Sequence, residues 1–185
     1  MWAVIHNGVF NILSKPDILE AIQNPQQDRQ MNVEQFQQLL KPITDLVSGM
    51  PVDKGLEAAL EARFPAGSEL FDAIDRACHE AIADGWMCAQ GGEGRRFGRV
   101  IEASDDTGHL SVDVVDLIDV AGPHHRHPLG EICMVLPVTE GALFDGRPRG
   151  WCVYDPDSQH RPTVSHGQAL VLYLLPEGQI EFTRS

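Results

Sequence analysis

The chain is poor in basic residues. Its 185 residues include 14 Lys and Arg against 27 Asp and Glu, a formal charge of −13. Phosphate backbones and anionic lipid surfaces are held by clustered Lys and Arg, so neither nucleic acid nor a membrane surface is an expected partner. An anionic small molecule is not excluded, because one or two arginines reverse the field inside a cleft. No run approaches 18 apolar residues, which argues against a membrane span. The apolar start, Met1 to Ser14, lacks a basic n-region and a small-residue cleavage site, so it does not read as a signal peptide. Cysteines are few: Cys78, Cys88, Cys133 and Cys152. None forms a CxxC pair, and this spacing is no disulfide framework. They read as small buried side chains in a reducing cytoplasm. Internal repeats and low-complexity tracts are missing as well.

What is present divides the chain into three stretches. Residues 1–30 end in a polar run, Asn24 to Gln30, and read as an extension or loose segment. Residues 31–85 carry helix signals. Asn32 and Gln35 form a capping box, with Met31 and Phe36 at the staple positions. Phe36, Leu39, Leu40, Ile43, Leu46 and Val47 then recur at helical spacing. Pro42 is expected to kink or restart that helix. A second helix is expected over about 53–63 and a third from Ser68 to Asp84, stopped by Gly85. Residues 86–185 change texture to short strand-like runs: Trp86 to Cys88, Phe97 to Ala103, Leu110 to Val120, Glu131 to Val138 and Ala169 to Leu175. Gly and Pro clusters separate them, as expected of a sandwich or barrel. The fold class is therefore α+β and β-dominant, a helical lead-in followed by a β-barrel.

The chemistry gathers in His124-His125-Arg126-His127-Pro128-Leu129-Gly130-Glu131. On a strand His125 and His127 project from one face, while His124 and Arg126 point the other way. The Pro128-Leu129-Gly130 turn can swing Glu131 back toward the two rings. A turn-rich loop, Tyr154 to Pro162, presents His160, which a closed barrel would bring up from an adjacent strand. Three imidazoles and a carboxylate suit Fe, Mn, Ni or Zn. The alternative is a set of surface histidines on an inter-strand loop.

The HxHxxxE spacing followed by Pro156-Asp157-Ser158-Gln159-His160 resembles the two metal-binding motifs of the cupin superfamily. That resemblance implies a small double-stranded jelly roll with His125, His127, Glu131 and His160 as ligands of a divalent metal. The second motif departs from the usual pattern: Ser158 stands where glycine is common, one spacer residue is missing, and no asparagine follows four residues after His160. A narrower likeness runs from Met31 onward. The helical lead-in, Gly85-Trp86-Met87-Cys88 through Arg99-Val100, the His124–Ile132 block and the ending Ala169 to Phe182 resemble the bacterial 4-hydroxylaminobenzoate lyases. Membership would imply conversion of 4-hydroxylaminobenzoate and water to 3,4-dihydroxybenzoate (protocatechuate) and ammonia, in a cytoplasmic homodimer.

That reaction needs an acid for the departing hydroxyl, an activated water and a clamp for the substrate carboxylate. Glu131 and Tyr154 are the expected catalytic groups. Glu131 would serve either as ligand or, in a metal-free barrel, as free acid or base. Arg99 is the expected carboxylate clamp ahead of Arg126, since a guanidinium fork matches two oxygens. Tyr173, with Tyr154 the only other tyrosine, is expected to bind substrate. Two other functions fit the same motifs. One is a metal-dependent dioxygenase or isomerase, which oxygen consumption would reveal. The other is a cupin sensor with a helical zinc module, although residues 31–85 lack the CxxC pair such modules use.

Overall fold

The structure, a computed structural model, describes residues 31–183. The extension expected over 1–30 lies outside the described residues. Helix α1 (Val33–Val47) opens on the expected capping box, with the Asn32 side chain accepting from the Gln35 amide at 2.9 Å and Gln35 accepting from the Asn32 amide at 3.1 Å. Pro42 neither ends nor restarts it. Pro42 lies on the exposed face, where the carbonyl deprived of a donor meets water, while Phe36, Leu40, Ile43 and Val47 pin the opposite face. Helices α2 (Lys54–Arg63) and α3 (Glu69–Ala83) follow, capped by Asp53 and Ser68.

Eleven strands come next among the described residues. The main sheet has the order β1-β2-β3-β10-β5-β7, all antiparallel: β1 (Gln90–Gly92), β2 (Arg95–Ile101), β3 (Leu110–Ile118), β10 (Gln168–Pro176), β5 (Glu131–Pro137) and β7 (Gly150–Tyr154). Two small sheets complete the barrel. One orders β11 (Glu181–Phe182), β4 (His125–His127) and β8 (Ser158–His160); the other pairs β6 (Leu143–Phe144) with β9 (Val164–Ser165). The strand expected at Trp86–Cys88 is absent. Those residues form a bend, with Cys88 at φ 53° and both Met87 and Cys88 buried. Their apolar character reflects core burial rather than sheet pairing.

Alternation along the strands separates two cores. Ile132, Met134, Leu136, Leu170, Leu172 and Leu174 face outward and pack with Phe36, Leu56, Phe71 and Ile74 of the three helices. The intervening residues Cys133, Val135, Val171, Tyr173 and Leu175 face inward and pack with Phe144 and Val164 of the small sheets. With both faces covered, β5 and β10 read as continuous apolar runs. Burying each large side chain contributes about 1.5–3 kcal/mol.

The exposed edge at β7 is closed by α2. Glu57 accepts from the Val153 amide and Glu61 from the Trp151 amide, each at 2.8 Å. An open edge strand would otherwise present those donors to another chain. This is an α+β, β-dominant fold, a cupin-type barrel with helices covering one face of its main sheet.

Candidate metal centre and cavity

Local chain geometry accounts for the convergence of the four expected ligands. His125 and His127 share a face of β4 at period two, and His160 on β8 lies directly opposite His125 in register. His160 thus sits in a short strand rather than in a loop. Gly130 makes the return to Glu131 possible. Its φ of +88° belongs to the left-handed region, and a Cβ there would lie 2.6 Å from Val52 Cγ1 and 2.9 Å from the Tyr154 carbonyl oxygen.

The donor atoms all lie within 4.8 Å of one another. His160 Nε2 is 3.0 Å from His125 Nε2 and 3.2 Å from His127 Nε2, and His127 Nε2 is 2.5 Å from Glu131 Oε2. His125, His127 and Glu131 are buried, and the His160 side chain is 12% exposed.

Would these residues fit a metal? Nitrogen ligands about 2.1 Å from a common ion stand about 3.0 Å apart along an octahedral edge and about 3.4 Å along a tetrahedral one. The His160–His125 and His160–His127 separations fall in that interval, while Glu131 lies closer to His127, at 2.5 Å, and farther from His160, at 3.7 Å. Hydrogen bonding alone serves the cluster poorly, because His160 Nε2 faces two imidazoles and a carboxylate at once and a ring nitrogen carries at most one hydrogen. The donor set and its spacing fit a divalent ion.

A neighbour that sequence reasoning missed fixes the His160 ring. Asp145, in the turn after β6, accepts from His160 Nδ1 at 2.7 Å, from the Tyr154 hydroxyl at 2.7 Å and from the Thr163 amide at 2.7 Å. With Nδ1 bonded there, Nε2 is aimed at the cluster. Asp145 precedes the Gly146-Arg147-Pro148 turn cluster, and nothing in the sequence marks its reach to residues 9, 15 and 18 positions away.

Charges across the cluster oppose one another. Burial alone would raise the Glu131 carboxyl, but hydrogen bonds from His127 and His160 bring it down to about 2. Burial would likewise lower His160, yet its bonds to Asp145 and Glu131 carry it up to about 9. Burial and the neighbouring His127 push His125 down to about 4. The Cys133 thiol donates to Glu131 Oε1 at 2.7 Å, on the side away from His127.

A cavity of ≈ 690 Å³ meets this cluster at His125 and Glu131. Tyr173, Leu175, Val115 and Leu117 form its sheet wall, with Arg95, Phe97 and Arg99 on β2 and Phe182 on β11. Phe97 and Phe182 are 41% and 68% exposed, the two exposed members of the Phe, Tyr and Trp set among the described residues. Both line this cavity.

Two expected roles meet geometry that does not suit them. Arg99 lines the cavity, but its guanidinium is engaged by Asp113 at 3.0 Å, Glu102 at 3.2 Å and the Gly178 carbonyl at 2.9 Å. Two carboxylates already neutralise the expected clamp. Tyr154 is outside the cavity lining, and its hydroxyl proton is committed to Asp145. Arg126 is paired with Glu181 at 2.8 Å and with Asp157. Tyr173 lines the cavity.

The fold and the cluster define a cupin of the small single-barrel kind with a candidate metal centre. The family model for 4-hydroxylaminobenzoate lyase (PnbB) matches residues 38–182, and the chain belongs to that family. A 4-hydroxylaminobenzoate lyase of Nocardioides sp. (strain LMS-CY) is 31% identical over 151 residues, covering 76% of this chain and 89% of the relative. The lyase of the same name from Pseudomonas putida is 28% identical over 153 residues, covering 74% and 87%. Among solved structures, the DMSP lyase DddQ of Ruegeria pomeroyi DSS-3 aligns with a TM-score of 0.38 at 21% identity, over 80% of this chain and 95% of that one.

Proposed function

We propose that this protein converts 4-hydroxylaminobenzoate and water to 3,4-dihydroxybenzoate and ammonia. The observation that carries the reading is the cavity. Two exposed phenylalanines and an arginine without an ion pair among the described residues line it, and it meets the His125, His127, Glu131 and His160 cluster in a chain of the lyase family.

The ring of the substrate fits between apolar walls, with Phe97 and Phe182 offering faces for offset or edge contact. Its carboxylate needs a cation that is not already spent. Of the two arginines in the cavity wall, Arg95 has no ion pair among the described residues and Arg99 has two. Arg95 therefore takes the carboxylate, and Arg99 braces the wall against Asp113. Such an anchor directs the hydroxylamino group of a para-substituted ring away from the carboxylate, toward the cluster.

A divalent ion (Fe, Mn, Ni or Zn) held by the three histidines and Glu131 would polarise the hydroxylamine oxygen and lower the pKa of a bound water. The chain's own residues do the rest. Asp145 and Tyr154 hold the His160 ring, and the buried Glu131, ionised by its neighbours, balances positive charge at the cluster. The chemistry is redox-neutral. The N–O bond breaks, water enters the ring carbon beside nitrogen, and hydrolysis of the resulting imine releases ammonia. One water departs and two are consumed, so the net uptake is one.

The test is an anaerobic incubation of purified protein with 4-hydroxylaminobenzoate, following both products. Equal release of protocatechuate and ammonia without oxygen supports the lyase. Turnover that needs oxygen would replace it with a cupin dioxygenase. The cytoplasmic homodimer implied by the family resemblance belongs to the same proposal, and sizing of the purified protein by light scattering checks its oligomeric part.

A further inference from the structure

Tyr173 sits in a lateral row of inward-facing residues. Its register partners are Asp113 on β3 and Cys133 on β5, and Arg99 lies beyond Asp113 on β2. The side chain is 6% exposed and packs edge-on against Phe144, ring centroids 6.1 Å apart. Its hydroxyl is fully buried and has no hydrogen-bond partner among the described residues. Asp113, its neighbour in the row, is taken by Arg99 and by the Ser111 hydroxyl at 2.7 Å.

Such a group is costly. A buried hydroxyl left without a partner destabilises a fold by about 1–3 kcal/mol, and a phenylalanine would fill the same space without that cost. The Tyr154 hydroxyl, by contrast, is bonded to Asp145. Tyr173 lines the cavity alongside His125 and Glu131, so the side chain that borders the space proposed for the hydroxylamino group carries an uncommitted O–H, buried just behind that wall.

We propose that Tyr173 is the general acid of the reaction, its hydroxyl donating the proton that lets the hydroxylamine oxygen leave. This rests on the lyase reading above. The step balances: the phenolic O–H bond breaks, a new O–H bond forms on the hydroxylamine oxygen, and the N–O electron pair departs with that oxygen as water. The electron-deficient ring then takes up a second water at the carbon beside nitrogen. The proton lost from that water restores the phenol. Tyr154 becomes a positioning residue that acts through Asp145 on His160.

Tyr173→Phe tests the assignment, with Tyr154→Phe as comparison. General acid catalysis is worth about 10²- to 10⁴-fold, so kcat of Tyr173→Phe is expected to fall within that range. Protocatechuate affinity and metal content should stay within about twofold, because the hydroxyl makes no bond among the described residues. The melting temperature should be unchanged or higher for the same reason. The residual rate should climb as pH falls, with hydronium replacing the missing donor, a dependence that a purely structural role would not produce. Three results would overturn the proposal alone: wild-type kcat in Tyr173→Phe, a marked fall in its melting temperature, or lost activity without the new acid dependence. Absence of turnover in the metal-loaded wild type would instead bring down the lyase reading, and this assignment with it.

Discussion

His125 and His160 face each other across the β4–β8 pair with their Nε2 atoms 3.0 Å apart. Two imidazoles held this close in a buried pocket mark a point where positive charge belongs. Removing either ring opens one side of the site without touching the outer core. His160→Ala or His125→Ala should retain the far-UV circular dichroism of the wild type while losing most bound metal by elemental analysis. Full metal occupancy after substituting both would contradict the ligand assignment.

Asp145 bonds the far nitrogen of His160 at 2.7 Å. Outer partners of this kind are typically worth about 10- to 100-fold in metal affinity. Asp145→Asn should therefore weaken metal binding by that order, as read by competition with a chelator of known affinity. Tyr154→Phe removes only one of the three bonds to Asp145 and should have a smaller effect in the same direction. Equal affinities across the series would mean that the His160 ring is positioned by packing alone.

In the metal-free protein His160 is held up to about 9 and His125 down to about 4. Near neutral pH the His160 ring therefore carries a proton that ligation must displace, while His125 does not. Metal affinity should rise about tenfold per unit from about pH 7 to about pH 9, with one proton released per ion, and level off above. Calorimetric titrations in buffers of different ionisation enthalpy measure that proton directly. An affinity independent of pH over this window would show that His160 is neutral in the free protein.

Two arginines in one wall make a discriminating pair. Arg95→Ala should weaken binding of benzoate-type carboxylates by about 10-fold or more, as expected for loss of a charge-assisted contact. Arg99→Ala should chiefly lower the melting temperature, since it leaves Asp113 and Glu102 without their cation. Binding isotherms and melts of both variants decide this, and the reverse pattern would restore Arg99 as the clamp.

Local signals were legible in the sequence, and long-range register was not. The Asn32–Gln35 capping box, the His125/His127 alternation and the Gly130 turn each involve residues within a few positions of one another. Their geometry follows from backbone rules alone. His160 meets His125 across 35 residues, and Asp145 meets Tyr154 and His160 only once β6, β7 and β8 are in place. The charge on Arg99 was visible, but its neutralisation depends on the β2–β3 register that sets it against Asp113. Trp86 to Cys88 looked like a strand because buried bends and buried strands draw on the same apolar residues. The expected split between Tyr154 as catalytic group and Tyr173 as substrate contact rests on local pattern, whereas the Tyr154–Asp145 bond and the place of Tyr173 in the cavity wall depend on long-range register.

A reaction that takes place at the His125, His127, Glu131 and His160 cluster should depend on the ion that those residues would hold. Anaerobic release of protocatechuate and ammonia should be compared in metal-loaded protein, in protein stripped by a chelator that is then removed, and in stripped protein given back one equivalent of divalent ion. Equal release of the two products is expected in the loaded protein, little in the stripped protein, and recovery on re-addition. Undiminished turnover in fully stripped protein would contradict that dependence and leave Glu131 to act without a metal.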